Sequence, residues 1–291
     1  MFKRIARIAL IGGGLVVLLM AVAMGWLKVH EDDIVFATAR GREHLLTVLP
    51  ADAQRVTVAE PNGAALAALV YRADGGADNG FWVLHLHGNA DSAFSPWQVR
   101  HCEALRSAGF NVLEIDYRGF GPTPGKPSEA AMYEDSEAAY QDLLRRGIPD
   151  NRIILLGHSL GSGPAVLLAT RHPAAALVLF GAFTSIPDAA AYRYPYLPVR
   201  AVVGVQFNSL ARIGRVHIPL VITHSRNDKL IPYSHALALF AAANEPKQLI
   251  TFDGASKDGF GGHVDALYEH VDQLKAALAK RIPALQAPPN P

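Results

Sequence analysis

The segment Gly157-His158-Ser159-Leu160-Gly161 sets a serine between two glycines in the spacing G-x-S-x-G. A serine hydroxyl is a poor nucleophile until a base takes its proton. That base works only when a third group holds it in the right tautomer. Downstream, Asp228 lies in His224–Pro232, just after an apolar run, and His263 follows a glycine-rich stretch. Asp253, Asp258 and Asp265 are nearer to His263 along the chain. Asp228 is preferred because a base and its orienting acid usually come from different loops of a sheet. The set reads as acyl-transfer chemistry, with Ser159 as nucleophile, His263 as general base and Asp228 as the acid that orients it.

Such chemistry also needs donors for a tetrahedral oxyanion. Two backbone N–H groups are expected to serve, one from Leu160 directly after the serine and one from Asn89. Asn89 belongs to His87-Gly88-Asn89-Ala90, where the glycine permits a close turn. His85-Leu86-His87 also reads as a possible metal pair on one strand face. No third ligand follows at a typical spacing, apart from a distant Asp91, so neither a metal nor a cofactor is expected.

These residues need a frame that places them at one edge. G-x-S-x-G is a weak signal alone, but Ile153–Leu156 reads as a buried strand before it and Ala165–Ala169 as an apolar helix after it. A sharp strand–turn–helix elbow is the setting the motif requires. Further strands are expected at Arg55–Ala59, Ala65–Arg72, Phe81–His85, Asn111–Ile115, Ala176–Phe180, Leu220–Thr223 and Gln248–Phe252. Several are continuous apolar runs, as strands buried on both faces should be. Ser95-Pro96 supplies an N-cap and a first-turn proline for one helix, with Cys102 on its packed face, and Ser128 opens another that Gly147 ends. Val264, Leu267, Val271, Leu274 and Leu278 form a helical stripe that predicts one final helix. The alternation predicts an α/β fold with a mostly parallel eight-stranded sheet flanked by helices.

Ile8 to Leu27 pass without a charge, a length that spans a hydrocarbon core. Lys3, Arg4 and Arg7 precede the run, whereas Lys28 is soon outweighed by Glu31, Asp32 and Asp33. The positive-inside bias predicts a single pass with the amino terminus in the cytoplasm. The domain then lies outside the plasma (inner) membrane, in the periplasm if the cell is Gram-negative. Ala21-Val22-Ala23 leaves a cleaved signal peptide as the competing reading. The expected organisation is an anchor or signal at 1–30, a catalytic domain at 31–282 and a disordered proline-rich tail at 283–291.

Composition excludes other classes. Lys+Arg 27 against Asp+Glu 26 leaves no basic face for nucleic acid, and all four bases before residue 30 belong to the apolar segment's flanks. A single cysteine excludes an internal disulfide and a cysteine-rich metal site.

With these residues in place, the chain resembles the α/β-hydrolase superfamily, and more narrowly its membrane-anchored BEM46-like, ABHD12/13/17-type serine hydrolases. The resemblance covers about residues 50–281. It rests on His87-Gly88-Asn89-Ala90, Asp116-Tyr117-Arg118-Gly119-Phe120-Gly121, Gly125-Lys126-Pro127-Ser128-Glu129, the elbow at Ser159, Tyr194-Pro195-Tyr196-Leu197-Pro198, His224–Pro232 and Gly261-Gly262-His263. It implies a Ser159–His263–Asp228 triad and a small cap, here about 182–217. The Arg118 segment is expected to buttress the oxyanion loop. Thr123, Pro124 and Val264 depart from the family's usual residues without touching a triad role.

The expected activity is hydrolysis of carboxylic esters or thioesters through an acyl-enzyme, on short-to-medium acyl chains or single-chain lipids. Arg193, Arg200, Arg212 and Arg215 against Asp188 make the cap segment locally basic, which suits anionic head groups. The alternatives are a peptidase of the same fold and a membrane-tethered binding protein without turnover.

Overall fold

The structure is a computed structural model that describes residues 2–37, 49–60, 63, 65–253, 259–264 and 266–286. Eight strands form one sheet: β1 (Gln54–Ala59), β2 (Ala65–Tyr71), β3 (Trp82–Leu86), β4 (Asn111–Ile115), β5 (Ile153–His158), β6 (Ala176–Phe180), β7 (Leu220–Ser225) and β8 (Lys247–Phe252). All eight lie where the apolar runs predict them, within a few residues at each end. Their spatial order is β1-β2-β4-β3-β5-β6-β7-β8. The sheet is mixed: β1 pairs antiparallel with β2 and β2 with β4, while every other pairing is parallel. The parallel part therefore sends β3, β5, β6, β7 and β8 the same way, and the loops after them meet at one edge.

Helices cover both faces. α3 (Pro96–Ser107) begins at Ser95, whose hydroxyl caps the Gln98 N–H, and α4 (Glu129–Arg145) begins at Ser128, whose hydroxyl caps that of Ala131. Each cap satisfies a donor that the first helical turn leaves free. α5 (Ser162–Arg171) leaves the elbow directly, and α8 (Tyr233–Ala242) leaves the loop that holds Asp228. One core lies between the sheet and α4, α5 and α8, and includes Leu84, Leu155, Phe183 and Phe207. The other lies under α3 and the C-terminal helices, and includes Tyr71, Cys102, Phe180 and Leu274.

The last helix differs from the expectation. The stripe is split into α9 (Ala266–Glu269) and α10 (Val271–Ala279), and Val264 stands outside both. His270 breaks the run at φ −123°, with its ring stacked 4.7 Å from that of Phe252. The Val264 carbonyl is taken by the His101 ring instead of a helical N–H. Two tertiary contacts override the period.

At the amino terminus, α1 (Phe2–Val29) contains an 18-residue stretch of mean hydropathy 2.5 that lies almost wholly exposed, and the helix is long and apolar enough to cross a membrane. A short α2 (Glu31–Val35) follows. In the expected tail, Pro283–Leu285 form a single 3-10 turn, and 287–291 lie outside the described residues.

Candidate active site

The elbow is built by close approach. A Cβ on Gly157 would stand 2.6 Å from the Gly161 carbonyl oxygen, and one on Gly161 would run into the Leu86 carbonyl. Only glycine lets β5 turn this sharply into α5 against β3. Ser159 sits at the apex with φ +50°, a left-handed conformation that a side chain pays to adopt. The turn lifts its hydroxyl clear of the sheet, and the surrounding packing holds the strain.

His263 arrives from the loop after β8. Its Nε2 stands 2.9 Å from the Ser159 Oγ, and its Nδ1 stands 2.7 Å from the Asp228 Oδ2. Nδ1–H donates to the carboxylate, which leaves Nε2 to accept from the serine. The ring fits because residue 181, just past β6, is glycine: a Cβ there would meet the imidazole at 3.0 Å.

Asp228 is buried and well anchored. Its Oδ1 accepts from the N–H groups of Leu230 and Ile231 at 2.8 and 2.9 Å. The His224 ring lies 3.3 Å from Oδ2. Burial alone would raise its pKa, but the contacts with His224 and His263 outweigh that and hold the carboxyl well below its ordinary value. It therefore stays ionised, as an acid that orients an imidazole must. Of the competing carboxylates, Asp253 is exposed and pairs with Arg226 at 3.0 Å. Asp258 and Asp265 lie outside the described residues.

Two further histidines hold this loop, and the sequence reading did not single them out. His158 donates from Nε2 to the His263 carbonyl at 2.9 Å, and His101 donates from Nε2 to the Val264 carbonyl at 2.7 Å. Burial first, then neighbouring histidines, pull both rings down: His101 to about 3, and His158 well below its ordinary value. Both are neutral donors at physiological pH. The only signal for His158 was its place inside the elbow motif, and nothing local marked His101.

The loop after β3 abuts the elbow. A Cβ on Gly88 would lie 3.1 Å from the Ser159 Cβ, so Asn89 begins the segment that faces the residue before Leu160. Asp116 fastens this loop by accepting from the Ala93 N–H at 2.8 Å and the Ser92 hydroxyl at 2.9 Å. His87 stands 3.2 Å from the same carboxylate. Burial opposes its charge, but the Asp116 contact prevails and raises it to about 9. The buttress expected of the Arg118 segment is thus made by its first residue, Asp116. Arg118 turns away to Asp135 at 2.6 Å and Glu60 at 3.4 Å, and ties β1 to α4.

The His85 and His87 rings serve different partners, His85 facing Glu114 and His87 facing Asp116. Asp91 accepts from the Gln98 side-chain amide at 2.6 Å. Among the described residues, His85, Cys102 and Glu114 make one group with metal-ligand spacing.

Residues 182–217 include α6 (Ile186–Arg193) and α7 (Leu210–Ile213). Two of the four arginines here are engaged within the protein: Arg200 bonds Asp188 at 2.9 Å and Arg212 bonds the Tyr133 hydroxyl at 2.6 Å. Arg193, Arg200 and Arg215 are all exposed, so most of the expected basic surface is present. A cleft of about 480 Å³ opens between α6 and α8, lined by Thr184, Tyr192, Leu210 and His235 among others.

Residues 81–211 match the family model described as Serine aminopeptidase, S33. The chain is 34% identical over 251 residues to the uncharacterized protein Rv2307c of Mycobacterium tuberculosis, covering 86% of this chain and 85% of that one. It is 33% identical over 215 residues to the uncharacterized protein YfhR of Escherichia coli, covering 70% and 74%. Human alpha/beta hydrolase domain-containing protein 17B is 32% identical over 173 residues, 56% of this chain and 57% of that one. Among solved structures, the esterase domain of a Rhodothermus marinus protein aligns with a TM-score of 0.59 at 23% identity, covering 79% and 98%. Pyrococcus furiosus esterase Pf2001 aligns at 0.64 with 18% identity, covering 79% and 91%. At those identities the two structures speak to the fold alone.

Proposed function

This chain belongs to the α/β-hydrolase superfamily, as a member of its ABHD type, and on that premise we propose that it cleaves carboxylic esters or thioesters through a Ser159 acyl-enzyme. The observation that carries the proposal is the continuous relay from Ser159 Oγ through His263 to Asp228, at 2.9 and 2.7 Å. In this mechanism Oγ attacks the substrate carbonyl as His263 Nε2 takes the hydroxyl proton. The carbonyl oxygen gathers negative charge opposite the N–H groups of Asn89 and Leu160. The tetrahedral intermediate collapses as His263 returns the proton to the departing alcohol or thiol. Water then repeats the sequence on the acyl-enzyme, releases the acid and frees the serine. Asp228 stays ionised throughout and stabilises the imidazolium.

The substrate reading is a single-chain lipid or a short-to-medium acyl ester drawn from the membrane surface. Its support is the tie between α2 and the cap. The Glu31 carboxylate, two residues past α1, accepts from the N–H groups of Gly204 and Val205 at 2.5 and 2.7 Å. The Phe36 ring packs edge-on against Phe207, 6.2 Å away. If α1 is a membrane anchor with its amino terminus in the cytoplasm, the cap sits at the outer bilayer surface. The exposed Tyr192 and Tyr196 suit that level, because a phenol prefers the interface. An acyl pocket gains about 0.8 kcal/mol per buried CH₂ until its length is exceeded.

Peptide-bond cleavage is the second reading, favoured by the description of the matching family. A panel of p-nitrophenyl esters of increasing chain length, with lysophospholipids and peptide amides alongside, separates the two. Turnover should rise with chain length and then fall. Preference for peptide amides over every ester would overturn the esterase reading and leave the triad standing.

A further inference from the structure

A second buried cluster lies on the α3 side of the sheet, and the triad does not use it. His85 and Glu114 are direct cross-strand partners on β3 and β4, and Cys102 on α3 comes down over them. All three side chains have no solvent exposure. The Cys102 Sγ is 2.9 Å from the Glu114 Oε2 and 3.9 Å from the His85 Nδ1, and that nitrogen is 3.1 Å from the Glu114 Oε1. One potential ligand atom from each residue lies within 4.8 Å of the other two.

As a hydrogen-bonded group, this arrangement is poor. A thiol is a weak donor, yet the sulfur–oxygen spacing is one that suits nitrogen and oxygen. The Glu114 Oε1 has only its ion-pair contact with His85, and the His85 Nε2 and the hydroxyl of Tyr71 on adjacent β2 are buried without a hydrogen-bond partner. Buried polar atoms are rarely left so. A divalent cation at the centre would answer the carboxylate oxygen and account for the short contacts. One imidazole nitrogen, one thiolate and one carboxylate are the donor types of zinc sites, whose ligands lie about 2.0–2.3 Å from the metal. The charges also close: a doubly charged ion against one thiolate, one carboxylate and a neutral imidazole leaves no net charge in the core.

We propose that His85, Cys102 and Glu114 bind a borderline first-row divalent cation, zinc foremost, as a buried site with three protein ligands. The site staples β3, β4 and α3 together behind the active site. Its reach extends to the catalytic loop, because His101, next to Cys102 on α3, holds the Val264 carbonyl one residue past His263. The inference concerns the fold of this chain and does not depend on which bond the enzyme cleaves.

The test uses the full chain, purified in detergent without chelator. Elemental analysis should find one equivalent of zinc per chain that survives dialysis. After removal of that metal, titration with cobalt(II) should produce a near-ultraviolet thiolate-to-cobalt band. Cys102→Ser should abolish the near-ultraviolet band and the tightly held equivalent. Should that variant fail to fold, the wild-type readings decide. A wild-type chain with no retained metal and no thiolate band in excess cobalt would overturn the site. So would metal retained equally by Cys102→Ser, which would mark an adventitious ion elsewhere.

Discussion

His158, the residue before the candidate nucleophile, donates its Nε2–H to the main-chain carbonyl of His263, 2.9 Å away. The two halves of the relay, which come from β5 and from the loop after β8, are therefore joined by a bond besides the one between serine and imidazole. That bond sets where the His263 ring stands when substrate arrives. Replacing His158 with Leu should lower kcat by about 10²-fold, the scale of a roughly 1 Å misplacement, with little change in KM. The freed buried carbonyl should cost about 1–3 kcal/mol of stability. His158→Gln, which can still donate, should recover much of kcat. Steady-state kinetics and denaturant melts on both variants check this.

Asp228 carries the orienting role in this account, and Asp253 does not. Asp228→Asn should cost about 10⁴-fold in turnover by favouring the wrong tautomer of His263. Asp253→Asn removes only an exposed pairing with Arg226 and should leave kcat within error of wild type. Near-normal activity of Asp228→Asn would mean that another acid serves.

The buried histidines give the pH dependence of stability two limbs. His101 and His158 have folded-state pKa values below their unfolded ones, the former at about 3. Their contribution is complete above about pH 6.5 and is lost as pH falls, because only the unfolded chain takes up those protons. His87 runs the other way, raised to about 9. Its contribution is complete below about pH 6.5 and is lost as pH rises through its folded value. Thermal melts across this range should show stability declining on both sides. His101→Gln should flatten the acid limb, and His87→Gln the alkaline one.

Glu31 joins the chain after α1 to the cap through two backbone N–H groups. Glu31→Ala should lower stability by about 1–3 kcal/mol by leaving those donors without their acceptor. Hydrolysis of a soluble short-chain ester should hold, whereas hydrolysis of an ester embedded in vesicles should fall. Equal loss on both substrates would assign Glu31 to folding alone.

The sheet and the meeting of Ser159, His263 and Asp228 were legible because each has a local signature. Buried parallel strands are apolar throughout, the elbow requires its two glycines, and the acid and base follow strands in order. What the sequence hid is carried by contacts between distant segments. The split of the last helix at His270 comes from stacking on Phe252, and the apolar stripe runs straight through it. The buttress was legible only as a segment from Asp116 to Gly121, because nothing local tells which of its charged residues turns inward. His101 lies 163 positions from the carbonyl it holds, and no window on the chain spans that distance.

The central claim is that Ser159 becomes a nucleophile through His263. A fluorophosphonate probe tests it most directly, since it forms a covalent bond only with an activated serine. The full-length protein should take up one probe per chain, with the adduct on the Ser159 peptide by mass spectrometry. Ser159→Ala should fold as the wild type does and take up none. Labelling of that variant to the same extent, or a folded wild-type chain that never labels, would contradict the account.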